Sequence, residues 1–405
     1  MLLDWLWLTT RKNLGVRRIH MLLDKYGSPE EIYRAPAQDM EMLVGRQAAA
    51  SLQDKSMDEA EQIAQACFRL DVRAVTIRDA SYPQRLRSVD DAPVVLYYQG
   101  RLPQFELMPA IAMVGTRRPS GYGFMKARQF GTWLGEYGVI VVSGGAAGVD
   151  TECLSGALEA DAPVVAVLGC GVDICYPAKN ERLFADIRRN GCLLSEYPPG
   201  SPPIPEHFPA RNRIISGLCN GVLIVEAPER SGALITAEFA LEQGRDVFAL
   251  AGTADNPSCA GNLRLVKEGA ALVSEPWDVL REYSRQYPKL ASFYAPDPEP
   301  PRAKQRRTKQ TILRQAAPAP LQLDTKYVDK PQPKTYIDVQ EPSGALEPDE
   351  RTILAALQDG PVCVDDVIDG TQLPAGRVLS CLTMLEVKGY VKRLPARRYE
   401  RTGKS

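Results

Sequence analysis

The chain has 405 residues, enough for two or three domains at about 150 residues each. Its 49 Lys and Arg balance 50 Asp and Glu, a net charge of −1 that excludes a histone-like or basic-arm protein but leaves room for a local basic groove. Two histidines, His20 and His207, exclude a multi-histidine metal centre, and nine cysteines without a CxxC pair read as thiols of a reducing compartment, not as a zinc site or disulfide framework.

The opening MLLDWLWLTTRKN carries Asp4 and no leading cationic region, so it does not read as a secretory signal. No run of about 18 apolar residues occurs, which argues against membrane insertion and for a cytoplasmic protein. Residues 1–80 are helical in pattern. Val16, Ile19, Leu22 and Leu23 share one helical face, Gly27 ends that helix, and Ser28-Pro29-Glu30-Glu31 caps the next. Short helices joined by glycine turns suggest a small SAM-like or helix-hairpin-helix domain.

The pattern then changes. IAMVG (111–115), VIVVSG (139–144), VVAVLG (164–169), CLLSE (192–196), GVLIVEA (221–227) and DVFALAG (246–252) are short, continuously apolar runs separated by helix-length segments. Continuous apolarity marks strands buried on both faces, and their alternation with helices predicts an α/β fold, a doubly wound parallel sheet of Rossmann type over 81–290. Such sheets bind ligands just beyond the strand C-termini.

Four loop clusters lie there. In VGTRRPSGYG (114–123), Gly115 permits a close backbone approach, Arg117 and Arg118 offer guanidinium forks, and a helix starting near Ser120 points free N–H groups at the same place. In VSGGAAGVDT (142–151), Ser143, Gly144 and Gly145 form an anion-binding nest that lacks the GK[ST] of a nucleoside-triphosphatase. In GCGVDICYPAKNERL (169–183), Tyr176 precedes Lys179, Asn180 and Arg182, an aromatic beside cations as single-stranded nucleic acid requires. In HFPARNRIISGL (207–218), Arg211 and Arg213 flank Asn212 at an expected helix start, where they oppose the macrodipole and call for a partner. His207 and Ser216 suggest no catalytic triad, because no acid pairs with them and no G-x-S-x-G elbow exists. No catalytic residue, metal ligand or cofactor is assigned.

Residues 291–345, most clearly 296–345, break the pattern with PDPEPP, APAP and PQP, and 301–335 holds nine Lys or Arg against two Asp, the composition of a basic, disordered linker. From 346 to 405, PDERTILAAL, VCVDDVIDG and PAGRVLSCLTMLEVKG read as three helices before a hairpin, YVKRLPARRYERTG, which is the order of a winged helix.

The ordered series VGTRRPSGYG, VSGGAAGVD, LGCGVDICYPAKN, LLSEYPPG, HFPARNRIISGL and VEAPERSGALITAEFALEQGRDVFALAG resembles the bacterial DprA/Smf family, DNA-processing protein A of natural transformation. The resemblance is dense over about 80–275 and includes SYPQRLRSVDDAPVVLYYQG (81–100). It implies an extended Rossmann-like core that binds single-stranded DNA without base specificity, dimerises through its C-terminal end and hands DNA to the RecA recombinase. It also implies a pocket built from Arg117, Lys179 and the Arg211-Asn212-Arg213 segment. Ala147 and Leu154 depart from the family pattern, standing where an arginine and a histidine are usual.

The expected dimer contact is GNLRLVKEGAALV (261–273), a helix followed by an edge strand, with Leu263, Leu265, Val266 and Leu272 at the interface. A competing reading is a nucleotide sensor or phosphoribohydrolase-like enzyme. ERSGALITAEF (229–239) bears a distant likeness to the catalytic loop of such enzymes, with Glu238 and Arg230 as the working residues.

Overall fold

A computed structural model describes residues 1–293, 348–357, 362–371, 373, 375–388, 390–394 and 398–402; the basic linker expected over 291–345 lies outside them apart from its first three residues. The chain divides into two compact units, Met1–Arg306 and Arg307–Ser405.

The first unit is built on β1 (Arg73–Thr76), β2 (Val95–Gly100), β3 (Ala110–Val114), β4 (Ile140–Ser143), β5 (Val164–Leu168), β6 (Cys192–Ser195), β7 (Gly221–Ile224), β8 (Asp246–Leu250) and β9 (Ala271–Val273). They form one sheet in the order β1-β2-β6-β5-β4-β3-β7-β8-β9. Strands β3 to β9 run parallel, while β2 is antiparallel to both β6 and β1. The six expected strands are all present. Each stops short of its terminal Gly, Glu or Ala, which leaves those residues in the loops.

The antiparallel pair at one edge departs from the sequence reading, since β1 falls inside the stretch expected to be helical. Only Val75 and Thr76 of that strand are buried, so four residues give too short a period to declare a strand.

Both sheet faces are covered. Successive residues of β3 alternate between two cores: Ile111 and Met113 pack with Phe130, Leu134, Cys153, Leu154 and Phe184, whereas Ala110, Ala112 and Val114 pack with Leu86, Ile214, Leu218, Ala237 and Leu265. Leu154, the residue that departs from the family's histidine, is therefore part of the core. The first core also contains Trp5, Leu6, Trp7 and Leu22, so the N-terminal helices and the sheet share one apolar interior. The Val16–Tyr26 helix buries Ile19, Leu22 and Leu23, ends at Gly27 with φ +85°, and is followed by Ser28, whose side chain accepts from the Glu31 N–H at 3.2 Å.

The second unit contains helices Pro348–Ala356, Val364–Thr371 and Ala375–Val387 and strands β10 (Val362–Cys363), β11 (Val391–Leu394) and β12 (Arg398–Arg401), ordered β10-β12-β11. Three helices and a hairpin occur as expected. The one difference is Val362-Cys363, which pairs with Tyr399 and Arg398 instead of opening a helix. Ile353, Leu354, Val378, Leu382, Leu385 and Tyr399 fill its core.

Helices Gly121–Glu136 and Val149–Glu159 touch backbone to backbone. A Cβ on Gly156 would lie 2.1 Å from the Arg128 carbonyl oxygen, and one on Gly131 would lie 2.1 Å from that of Cys153. Neither neighbour is a movable side chain, so the helices must separate to admit a methyl group. Gly156→Ala is therefore expected to destabilise the fold by about 1–3 kcal/mol, as overpacking does. Urea unfolding of the full chain checks this as a lowered midpoint.

Candidate nucleic-acid interface

Beyond the C-terminal ends of the parallel strands lies a cleft of about 580 Å³. The loop after β3 supplies Gly115, Thr116, Arg117 and Arg118, and that after β4 supplies Ala146 and the Asp150 wall. Tyr176 comes from the loop after β5. The His207–Leu218 helix supplies Phe208, Arg211 and Asn212, and the segment after β7 supplies Arg230, Ser231 and Gly232.

The backbone cradles expected to hold phosphate are already occupied by the chain's own carboxylates. Glu226, fully buried just beyond β7, accepts from the Ser120 N–H at 2.9 Å and from the Ser120 hydroxyl at 2.5 Å. The Ser120 hydroxyl in turn caps the Gly121–Glu136 helix through the Gly123 N–H at 3.1 Å. The positive helix end is thus filled from within. The nest after β4 is filled in the same way, as Asp150 Oδ2 accepts from the N–H groups of Gly144 at 3.1 Å and Ala146 at 3.3 Å. The readings of Ser120 and of Ser143-Gly144-Gly145 as open anion seats are corrected accordingly. Ser143 is buried and donates to the Met113 carbonyl at 2.6 Å. Gly115 faces Val149 and the Glu226 backbone, so its missing side chain serves packing.

Arg211 and Arg213 sit in the second turn of the His207–Leu218 helix and not at its start, and both are buried. Their partners are internal. Arg211 donates to the Gly144 carbonyl at 2.7 Å and to the Val167 carbonyl, tying the β4 and β5 loop ends together. Burial pulls its guanidinium down and pushes the Asp150 carboxyl up, while each charge opposes the shift of the other. Arg213 pairs with Glu196 at 2.8 Å and Asp91 at 3.5 Å and does not line the cleft. Asn180 is also internal, donating to the Gly145 carbonyl at 2.9 Å and to the Thr151 hydroxyl at 3.0 Å.

Arg117, Arg118, Lys179, Arg182 and Arg230 are exposed, and among the described residues none of these five makes an ion pair. Arg117, Arg118 and Arg230 line the cleft; Lys179 and Arg182 do not, although they follow Tyr176 in sequence. Tyr176 is 44% exposed, its ring centroid 5.5 Å from that of Phe208, and the Arg117 guanidinium carbon lies 5.8 Å from the Phe208 centroid. Two rings beside exposed guanidinium groups can stack bases while pairing phosphates. Phe208 and Arg230 belong to this surface. Sequence reasoning passed over Phe208, although an aromatic opening a cationic segment was the available signal.

His207 Nδ1 lies 3.1 Å from the Gly169 carbonyl oxygen and its ring stacks on Tyr197 at 3.7 Å, while the Ser216 hydroxyl donates to Gln243 Oε1 at 2.7 Å. Glu238 is exposed midway along the Gly232–Glu242 helix and does not line the cleft with Arg230, so the pair required for glycosidic cleavage is not assembled. Among the described residues, no group of three or more His, Cys, Asp or Glu could hold a metal ion, and no helix is long and apolar enough to cross a membrane.

Of the expected interface residues, Leu265 is 5% exposed and packs in the second core, a correction to its assignment as a contact residue. Leu263 and Val266 are half-buried on the Ala260–Lys267 helix, and Leu272 is 55% exposed on the edge strand β9.

Residues 73–284, more than half of the chain, match the DNA recombination-mediator protein A family, and residues 339–397 match the DprA winged helix domain. The chain is 38% identical over 337 residues to Protein Smf of Synechocystis sp., covering 81% of this chain and 79% of that one. It is 44% identical over 208 residues to the DNA processing protein DprA of Streptococcus pneumoniae, covering 51% and 73%. The X-ray structure of DNA processing protein A from Streptococcus pneumoniae superposes with a TM-score of 0.61 at 35% identity, over 70% of this chain and 98% of that one.

The occupied helix end gives a stability test. Glu226→Ala strands two Ser120 donors and is expected to cost about 1–3 kcal/mol for each. Arg117→Ala, on an exposed loop, is expected to stay within about 0.5 kcal/mol of wild type. Parallel urea titrations of the two variants make the comparison.

Proposed function

The chain belongs to the DNA recombination-mediator protein A family, and from that premise we propose that its cleft binds single-stranded DNA, protects it and passes it to a RecA recombinase during natural transformation, without chemistry of its own. One observation carries the reading. The fixed anion seats are filled by Glu226 and Asp150, while Arg117, Arg118 and Arg230 remain exposed and unpaired around Tyr176 and Phe208. A nucleotide-cleaving site needs a seat for one phosphate and an acid beside it. A strand-binding surface needs mobile cations and ring faces, which tolerate any sequence.

Gly115, Gly144, Gly145, Asn180, Arg211 and Arg213 then act by shaping the site, whereas Arg117, Arg118, Lys179, Arg182 and Asn212 reach for phosphates. Binding of this kind weakens steeply with salt, with a slope near −0.7 for each phosphate neutralised on a single strand. Arg117→Ala and Lys179→Ala are each expected to weaken binding about tenfold to a hundredfold, the worth of a charged hydrogen bond, with the far-ultraviolet circular dichroism unchanged. Gel-shift or anisotropy titrations at several salt concentrations test this. Salt-insensitive binding, a strong base preference, or release of free base from nucleoside monophosphates would each refute it.

The same reading makes the protein a cytoplasmic homodimer joined at β9. That strand ends the sheet, carries exposed Ala271 and Leu272, and has no charge within its three residues. An unguarded edge of this kind is covered when a two-fold partner pairs with it. Leu272→Glu is expected to give a soluble monomer that still binds short oligonucleotides but loses the avidity of two clefts on long strands. Sedimentation showing a wild-type monomer at micromolar concentration would remove this interface.

A further inference from the structure

A second basic groove, of about 410 Å³, lies at the other end of the sheet. The main cleft follows the C-terminal ends of β3 to β7. This groove gathers at the N-terminal end of β6, where Gly100 at the end of antiparallel β2 pairs with Cys192. Its lining includes Arg73 from β1, Arg101 from the segment after β2, and Arg188 and Arg189 from the last turn of the Glu181–Asn190 helix. Asp71 is the one carboxylate among the lining residues, and no aromatic side chain is present.

The groove is held by backbone. Gly100 has φ +92°, and a Cβ there would lie 2.4 Å from the Gly191 carbonyl oxygen and 2.9 Å from that of Arg188. The Arg101 N–H donates to the same Gly191 oxygen at 2.7 Å, which fixes Arg101 beside the end of the helix. Arg188 Nε donates to Gln99 Oε1 at 2.8 Å, so its guanidinium is aimed by a neutral partner and keeps its charge uncompensated. Arg189 has only an exposed pairing with Asp186 at 3.4 Å. Among the described residues Arg73 and Arg101 make no ion pair.

A helix C-terminus accounts for Arg188 and Arg189, because cations there complement the macrodipole. It does not account for Arg73 and Arg101, which reach the same place from different segments and repel the other two. Four guanidinium groups around one acid form a site for an anion, and planar forks match phosphate.

Resting on the strand-binding reading above, we propose that this groove is a second contact for the DNA phosphodiester backbone, engaged by the part of a strand that extends beyond the main cleft. Without rings to stack bases it reads phosphates alone. Strands only four or five residues long separate the two ends, a span of about 15 Å within the sheet, so a strand running round the protein can occupy both grooves.

The test uses the full chain and the double variant R73E/R101E, both positions being exposed. Circular dichroism and sedimentation confirm that fold and oligomeric state match wild type, and R73K/R101K supplies a variant of unchanged charge. Binding is measured with strands of about 6 and about 30 nucleotides, the short one comparable to a single binding site. The long strand is expected to bind the Glu variant about tenfold more weakly, with a salt slope smaller by about 1.4 for two lost phosphate contacts. The short strand should bind equally to both, and the Lys variant should retain most of the long-strand affinity.

Unchanged long-strand affinity and slope would overturn the proposal, as would an equal loss on the short strand. Inorganic pyrophosphate probes the other source of phosphate. If wild type binds it and R73E/R101E does not, while DNA affinities stay equal, the groove serves a small phosphate ligand and the backbone assignment fails. Arg117→Ala in the same series keeps the two claims separate. Its loss of short-strand binding upholds the main cleft whatever the second groove does, and wild-type protein that binds neither strand removes both.

Discussion

Two buried carboxylates organise the loops on which the site depends. Glu226 leaves β7 with no exposure to water and binds the start of the Gly121–Glu136 helix, while Asp150 fills the nest after β4 against Arg211. A buried charge is tolerated only when its hydrogen bonds are satisfied, so these contacts admit one arrangement of the loops. Gly148 shows how tight that arrangement is. A Cβ there would come within 2.5 Å of the Thr116 carbonyl oxygen, and the Val149 N–H donates to that oxygen at 3.2 Å. The loop carrying Arg117 and Arg118 is thus seated on the loop after β4. The surface arginines are long and exposed, but their Cα atoms are placed by these interior contacts.

This division of labour explains why two kinds of arginine occur in neighbouring positions. Arg211 is a cross-link between strand ends, and Arg213 a tie to Glu196 and Asp91; Arg117, Arg118 and Arg230 point outward with their charge unspent. The buried set costs desolvation that its partners offset. The exposed set costs little, because water solvates it.

Much of this was legible in the sequence. Continuous apolar runs gave the six parallel strands, because burial on both faces leaves no alternation to misread. Ser28 and Gly27 marked their helix ends correctly for the same local reasons that operate in the folded chain. What misled was charge. Arg211 and Arg213 in a loop-like motif look like ligand contacts, and no pattern in one chain announces that the Gly144 and Val167 carbonyls take up Arg211 while Asp91 and Glu196 pair with Arg213. The same holds for the helix start at Ser120, whose partner Glu226 is more than a hundred residues away. Leu265 failed as an interface residue because a helix at a sheet edge has two apolar sides, and only packing decides which one faces inward. The strand β1 was hidden by its length.

The two edges of the sheet are unlike, and this bears on growth as well as on pairing. One edge is β1, four residues long and opening with exposed Arg73; the other is β9, three residues long with Leu272 outward. Joining two copies at β9 would make a single sheet bounded on both sides by β1, so the product presents no further copy of the edge that made it. Polymerisation requires an edge that survives each addition. Pairing of that kind would consume the exposed edge at the first step, so assembly by this route would end at a pair instead of running on as a filament.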